Sequence, residues 1–210
     1  MDIDETPRTL SELLEDLKPH LQTPEVSIKL LLEAFHERGF GFFLFLIALP
    51  AALPLPALGI NTIIALPLLI LTGQQAIGRH TIWLPASWKA KTVKSANILK
   101  FIDIALPWVK KIELFVKPRL SFMTQGIFSY LIGITGVLLS LAVAIPLPLT
   151  NTVPAFGIAL MSIGVLTRDG LAVLAGAFIG LLWVIALVSF VVIFGSMGFE
   201  MMKDFIKGFL

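Results

Sequence analysis

Two asparagines, Asn61 and Asn151, stand in matching surroundings. Each follows a Pro-Leu-Pro triplet, Pro54-Leu55-Pro56 in one case and Pro146-Leu147-Pro148 in the other, and each is followed by threonine. Proline lacks an N–H and clashes with the preceding turn, so each triplet stops a helix. A stopped helix leaves its last carbonyls without partners. In hydrocarbon such groups cost several kcal/mol each unless protein or trapped water satisfies them. Asn61 and Asn151 suit the N-cap of the next helix, and Pro154 falls in a first turn, where proline is tolerated. A helix C-terminus, a bend and a helix N-terminus then lie close together. Facing dipole ends of this kind bind ions or anionic groups in discontinuous helices. Pro54, Pro56, Asn61, Pro146, Pro148 and Asn151 are therefore the candidate transport or ion site, and Arg79, Arg168 and Asp169 the candidate charged gate or anchor. A plain Pro-Asn turn between two short helices at the membrane surface is the simpler alternative.

The elements that would position these residues repeat. Each copy runs from an apolar stretch through the break and the Asn-Thr pair into a second apolar stretch. Arg79 closes one, 18 residues after Asn61, and Arg168 closes the other, 17 residues after Asn151. Ala65 and Ala155 each stand four residues after their asparagine, while the gap from break to asparagine differs by two residues. An internal duplication accounts for this, and transporter-like folds are often built from such repeats. The 14 apolar residues 40–53 make about 21 Å of helix, short of the roughly 30 Å hydrocarbon core. An incomplete descent followed by the returning segment 61–78 is the signature of a re-entrant hairpin; two tilted short spans are the other reading. Pro67 should kink the return. Residues 124–145 and the run 171–198 are long enough to cross, and Ala172, Gly176 and Gly180 form a small-residue face for tight helix packing.

Composition agrees with a membrane setting. The 210 residues are 57% hydrophobic and 14% charged, where soluble domains carry about 25% charged residues. With no cysteine, disulfides and thiolate metal sites are excluded, and His20, His36 and His80 lie too far apart for metal-ligand spacing. The first residues are acidic and polar, so no cleavable signal peptide is expected. Charge is unevenly spread: residues 1–38 carry nine acids and four bases, whereas residues 79–119 carry nine bases and two acids.

The expected fold class is an all-α integral membrane protein. It has two repeats with broken helices as re-entrant hairpins, a full-length C-terminal span and amphipathic interfacial helices. Residues 1–38 form a cytoplasmic or interfacial amphipathic arm. There Thr9-Leu10-Ser11-Glu12 fits a capping box, Pro19 ends the first helix, Thr23-Pro24 opens a second and Gly39 stops it. Residues 39–210 form the membrane domain: repeat one 39–79, a basic interfacial linker 80–120, repeat two 121–170, and the C-terminal helix and tail 171–210. Pro107 divides the linker into two amphipathic helices, with Trp83, Trp88 and Trp108 at the membrane boundary. The linker should attract anionic lipid headgroups. Its Lys/Arg excess marks the cytoplasmic side. The N-terminus and linker are thus expected in the cytoplasm of a multi-pass protein, with the C-terminus outside.

Several stretches carry a resemblance. ALPAALPLP, then ALPLLILTGQQAIGR and IWLP, then PWVKKIELFVKPRL and AIPLPLTNTVPAFGIALMSIGVLTRDGLAVLAG, resemble the ExoD family of bacterial membrane proteins over about residues 28–198. The resemblance implies a bacterial inner-membrane protein linked to exopolysaccharide synthesis and to tolerance of alkaline conditions. It implies no agreed biochemical activity. Where such sequences usually have a glycine and a small polar residue after the first break, this chain has Gly59-Ile60-Asn61-Thr62.

No catalytic constellation stands out: no phosphate loop, nucleophile elbow or His/Glu metal cluster is present in the sequence. The chain is expected to be no enzyme and to take no cofactor, metal or nucleic acid. Asp169 beside Arg168 should stay ionised, which argues against a proton carrier. Two functions stay open. One is transport-like, with an ion or anionic-headgroup site between the two repeats. The other is a non-transporting scaffold subunit of the polysaccharide-assembly machinery, acting through linker and arm. Polysaccharide-synthesis proteins are its expected partners, and the small-residue face packs within the chain or, as the alternative, in a homodimer.

Overall fold

A computed structural model describes residues 9–35, 39–53, 60–79, 81–114, 117–145 and 151–207. Pro54, Pro56, Pro146, Pro148, His36 and His80 lie outside the described residues. The described chain is mostly helical, in two regions: a bundle of apolar helices and a smaller unit built from the arm and the linker.

The bundle consists of α3 (Gly39–Ala52), α4 (Ile60–Ala76), α7 (Ile127–Ala144), α8 (Thr152–Thr167) and α9 (Gly170–Lys207). Consecutive helices form hairpins, α3 with α4 and α7 with α8, yet the two hairpins pack on each other more closely than their own helices do: α3 lies on α8 and α4 on α7. Glycines allow this approach. A Cβ on Gly41 would meet Leu166 at 2.8 Å and the Ser162 carbonyl at 3.0 Å, and one on Gly133 would meet the Ala76 backbone. Both crosswise pairs are therefore antiparallel. Hence Ala52 and Ile60 of one hairpin and Ala144 and Thr152 of the other belong to the same end of the bundle. α9 packs antiparallel on α8, where a Cβ on Gly176 would lie 2.6 Å from the Gly157 carbonyl. The small-residue face read from the sequence is thus used within the chain. α7 and α9 are long and apolar enough to cross a membrane, while α3 and α8 are shorter apolar helices.

The smaller unit contains α1 (Leu10–Leu17), a 3-10 turn over Lys18–Leu21, β1 (Glu25–Ser27), α2 (Ile28–Phe35), α5 (Ala86–Lys89), β2 (Thr92–Lys94) and α6 (Ser95–Glu113). The capping box forms as the sequence predicts. The Glu12 amide donates to Thr9 Oγ1 at 3.3 Å, and the Thr9 amide donates to Glu12 Oε2 at 2.8 Å. Three expectations are corrected. Thr23-Pro24 leads into a strand, not a helix. β1 pairs antiparallel with β2 in the register Glu25↔Lys94, Val26↔Val93 and Ser27↔Thr92, and Val26 is buried. A distant strand partner overrides the local helix signal. Gly39 opens α3 and does not close the second helix. Pro107 sits inside one continuous α6, because Ile102 before it and Val109 after it are both buried in the shared core. Packing on both sides outweighs the hydrogen bond the proline removes. α9 continues through the tail to Lys207.

The unit joins two segments of opposite charge. The Ser11 amide and hydroxyl donate to the two carboxylate oxygens of Glu113 at 2.7 and 2.6 Å. Lys110 reaches Glu15, and Lys18 reaches Asp103, each at 2.8 Å. The hydrogen bond from Lys110, reinforced by its charge, holds the Glu15 carboxyl below its ordinary range.

Candidate functional site

The two hairpins can be aligned from their asparagines. Eleven residues after Asn61 stands Thr72, and eleven after Asn151 stands Ser162. The correspondence extends to burial: Ala65 with Ala155 and Leu68 with Ile158 are all at most 2% exposed. Thr72 and Ser162 are themselves buried, and each donates its hydroxyl hydrogen to the carbonyl four residues earlier. Thr72 bonds Leu68 at 2.8 Å and Ser162 bonds Ile158 at 2.6 Å. Such back-bonding satisfies a hydroxyl inside an apolar bundle without a partner on another helix.

Both hydroxyl residues line one cavity of about 10 Å³, bounded by all four hairpin helices. Gly41 and Leu44 come from α3, Gln75 from α4, Gly136 from α7 and Val165 from α8. The lining follows the same correspondence. Gln75 and Val165 are each fourteen residues after their asparagine. Leu44 and Gly136 each stand ten residues before the first proline of their break. Three such pairs, Thr72 with Ser162, Gln75 with Val165 and Leu44 with Gly136, line the cavity. One pair is unequal in chemistry: Gln75 is 4% exposed and its Oε1 has no hydrogen-bond partner, where the other hairpin has the valine. The neighbouring Gln74 is fully used, since it donates to the Trp83 carbonyl at 3.0 Å and accepts from the Trp83 amide at 2.7 Å.

The asparagines occupy different places. Asn61 lies one residue inside α4, not before it, and its side chain is outside the described set. Asn151 stands at the N-cap of α8 as expected, and its carbonyl accepts from the Ala155 amide at 3.0 Å, but its side chain makes no capping bond. It is buried, with Pro154 in the following turn. The break ends of the hairpins are remote from the cavity, which opens near the start of α3 and the end of α8. The candidate ion-site residues and the cavity are therefore two locations.

The charged candidates lie at the cavity end. Arg79 is exposed and stacks over Trp83, 5.7 Å from the ring centroid. Arg168 is exposed in a left-handed conformation, φ 57°, that closes α8. Asp169 is 3% exposed. Its Oδ1 accepts from the amides of Leu171 and Ala172 at 2.9 and 3.2 Å, and its Oδ2 accepts from the Lys117 amide at 3.0 Å. Asp169 thus caps the positive end of α9 and ties the linker to the α8–α9 turn. Its sequence neighbour Arg168 is not what holds it.

The sequence reading passed over Thr72 and Ser162. The available signal was a hydroxyl residue at the same distance from each asparagine, in a run where most other positions are apolar. Among the described residues no group of three or more His, Asp or Glu could hold a metal ion.

A family model described as "Exopolysaccharide synthesis, ExoD" matches residues 10–189. An uncharacterized protein of Synechocystis sp. is 33% identical over 188 residues, which cover 88% of this chain and 89% of that protein. Protein ExoD of Rhizobium meliloti is 27% identical over 176 residues, 81% of this chain and 72% of the relative. No solved structure matches.

Proposed function

We propose, from the premise that this chain belongs to the ExoD exopolysaccharide-synthesis family, that it acts as a transport-like membrane component of that process. In this reading two re-entrant hairpins from an internal duplication enclose an ion-binding path. The observation that carries it is the shared cavity, lined by equivalent positions of both hairpins. Polarity is arranged as a bilayer favours. Thr72, Gln75, Ser140 and Ser162 are inside, while Ile63, Leu66, Leu131, Ile134, Leu138, Phe178, Leu182 and Ile185 are exposed on the bundle's outer faces. In water so large an apolar surface would be a liability; against lipid tails it is the expected surface.

Lengths support re-entrance. Continuing the α8–α9 register brings Asn151 level with about residue 185 of α9. The apolar stretch of α9 extends to Gly195, so it outruns the hairpins by about ten residues, or ~15 Å of helix. Val188, Val191, Val192 and Phe194, in that extension, are all exposed. α3 and α8, of 14 and 16 residues, are shorter than a full crossing, although α7 is long enough for one; on this reading the break ends of the shorter helices lie within the bilayer. The arm–linker unit then sits on the cytoplasmic face of the inner membrane, where Trp88, Lys91 and Lys94 meet anionic headgroups.

The test is ion flux in proteoliposomes holding the purified chain and a pH-sensitive dye. A proton gradient is imposed, and sodium, then potassium, is added. Cation-dependent proton movement that disappears in the Thr72→Val/Ser162→Ala double variant, with normal membrane accumulation, is the expected result. A flat trace from correctly inserted wild-type protein would remove the transport reading. The scaffold reading draws on a separate observation, the arm and linker folded into one unit with exposed tryptophan and lysine. On that reading, neutralising the linker lysines would impair exopolysaccharide synthesis more than altering either asparagine.

A further inference from the structure

We infer that the cavity between the hairpins is a binding site for one monovalent cation of about the size of sodium, with Gln75 Oε1 as its principal ligand. The inference rests on the transport-like reading and names the ligand class and the place, which the asparagine breaks do not supply.

Four observations combine. The cavity has about 10 Å³, room for one body no larger than a water molecule. Its hydroxyls are committed as donors: Thr72 and Ser162 give their hydrogens to Leu68 and Ile158, so only lone pairs remain for an occupant. Gln75 lines the same space, and its Oε1 is buried and without a partner. A buried carbonyl oxygen left unsatisfied is costly, and the cost is relieved when something positive or hydrogen-donating occupies the site. Lastly, among the described residues no carboxylate lines the cavity. Three neutral oxygens suit a single positive charge. They do not balance a divalent ion, which recruits carboxylates, and an anion would meet lone pairs from both hydroxyls.

Gln75 also gives the site a direction. Its counterpart in the other hairpin is Val165, so the ligand oxygens lie mainly on the α4 side. The cavity sits near the start of α3 and the end of α8, the bundle end to which the arm–linker unit is joined. A cation would therefore enter from that side.

The experiment is thermal unfolding of the purified full chain in detergent. Sodium, lithium, potassium and N-methylglucamine chlorides are compared at equal ionic strength. A ligand that binds only the folded state raises Tm with its concentration. Sodium is expected to raise Tm by several degrees in a saturable way, with lithium close behind and potassium weaker. Gln75→Leu should abolish the sodium dependence, and Gln75→Glu should tighten it at least tenfold. Equal Tm in sodium and N-methylglucamine for the wild-type chain would overturn the inference and leave a structural water as the occupant. So would a sodium shift that persists in Gln75→Leu. Should Gln75→Leu fail to fold, the Gln75→Glu comparison decides alone, and unchanged sodium affinity there overturns the site. Binding without flux would leave the site standing and remove the transport reading. Flux without sodium-dependent stability would do the reverse.

Discussion

The bundle and the arm–linker unit solve the same packing problem with different means. In the bundle, backbones meet at glycines, and hydroxyls bond within their own helices. In the arm–linker unit, segments distant in sequence are joined by a strand pair and by side-chain bonds such as Ser11–Glu113 and Lys110–Glu15. Buried leucines, isoleucine and valine fill the space between α1 and α6. On the membrane reading proposed above, the contrast reflects two solvents. Where lipid surrounds the helices, apolar burial gains little, and close backbone approach supplies the specificity. Where water surrounds them, burying Leu14, Leu17, Ile102 and Val109 drives association. Exposed ion pairs then add little more than register.

The largest effect expected from this contrast comes from filling a bundle glycine. Gly133→Leu would drive a side chain into the backbone of Gln75 and Ala76, 2.6 Å from the first ideal Cβ position. The expected cost is about 3 kcal/mol or more, read from unfolding in denaturing detergent. Gly73→Ala on α4, with nothing within 4 Å, should instead be neutral or gain up to about 1 kcal/mol in helix propensity. Similar stabilities for the two variants would mean that glycine contacts do not hold the bundle.

An intermediate effect is expected where the two regions are fastened together. Asp169→Ala removes the α9 cap and the bond to the Lys117 amide, at a cost of roughly 2 kcal/mol. Asp169→Asn keeps one acceptor oxygen and should recover part of it. Hydrogen exchange at Leu171 and Lys117 should accelerate together in the alanine variant. Faster exchange at Leu171 alone would reduce Asp169 to a local cap.

The smallest effect is confined to the arm. Glu15 has a lowered pKa in the folded chain, caused by its bond with Lys110 and the charge of that group. The pair's contribution is therefore present above the ordinary value of 4.5 and is lost as pH falls through the lower folded value. Proteolysis between α1 and β1 should rise slightly on that descent, and Lys110→Met should flatten the dependence. Because the pair is exposed, moderate salt should mimic the acid effect. A response of the bundle over the same range would contradict the separation of the two regions.

Local signals carried well. The Thr9–Glu12 capping box, the start of α9 after Asp169 and the small-residue face were legible because each depends on residues within a turn or two of one another. Asn151 and Asn61 marked the starts of α8 and α4 to within a residue. Failures arose where a distant partner decided the outcome. Val26 became a strand residue because Val93 lies opposite it, and α6 runs through Pro107 because both of its flanks are buried. Thr72 and Ser162 went unread because a hydroxyl bonded within its own helix leaves no pattern beyond its position.

By itself the sequence determined most of the helical segments and which of them are apolar enough for a membrane. Periodicity, proline breaks and capping residues act over a few positions and need no knowledge of neighbours. Tertiary structure alone decided that the hairpins pair crosswise, that equivalent positions face one cavity, and that Gln75 carries an oxygen with no protein partner there. Which helix faces which depends on matching surfaces from segments far apart in the chain. Only that match distinguishes a polar side chain satisfied at an exit, as Gln74 is by Trp83, from one left open inside.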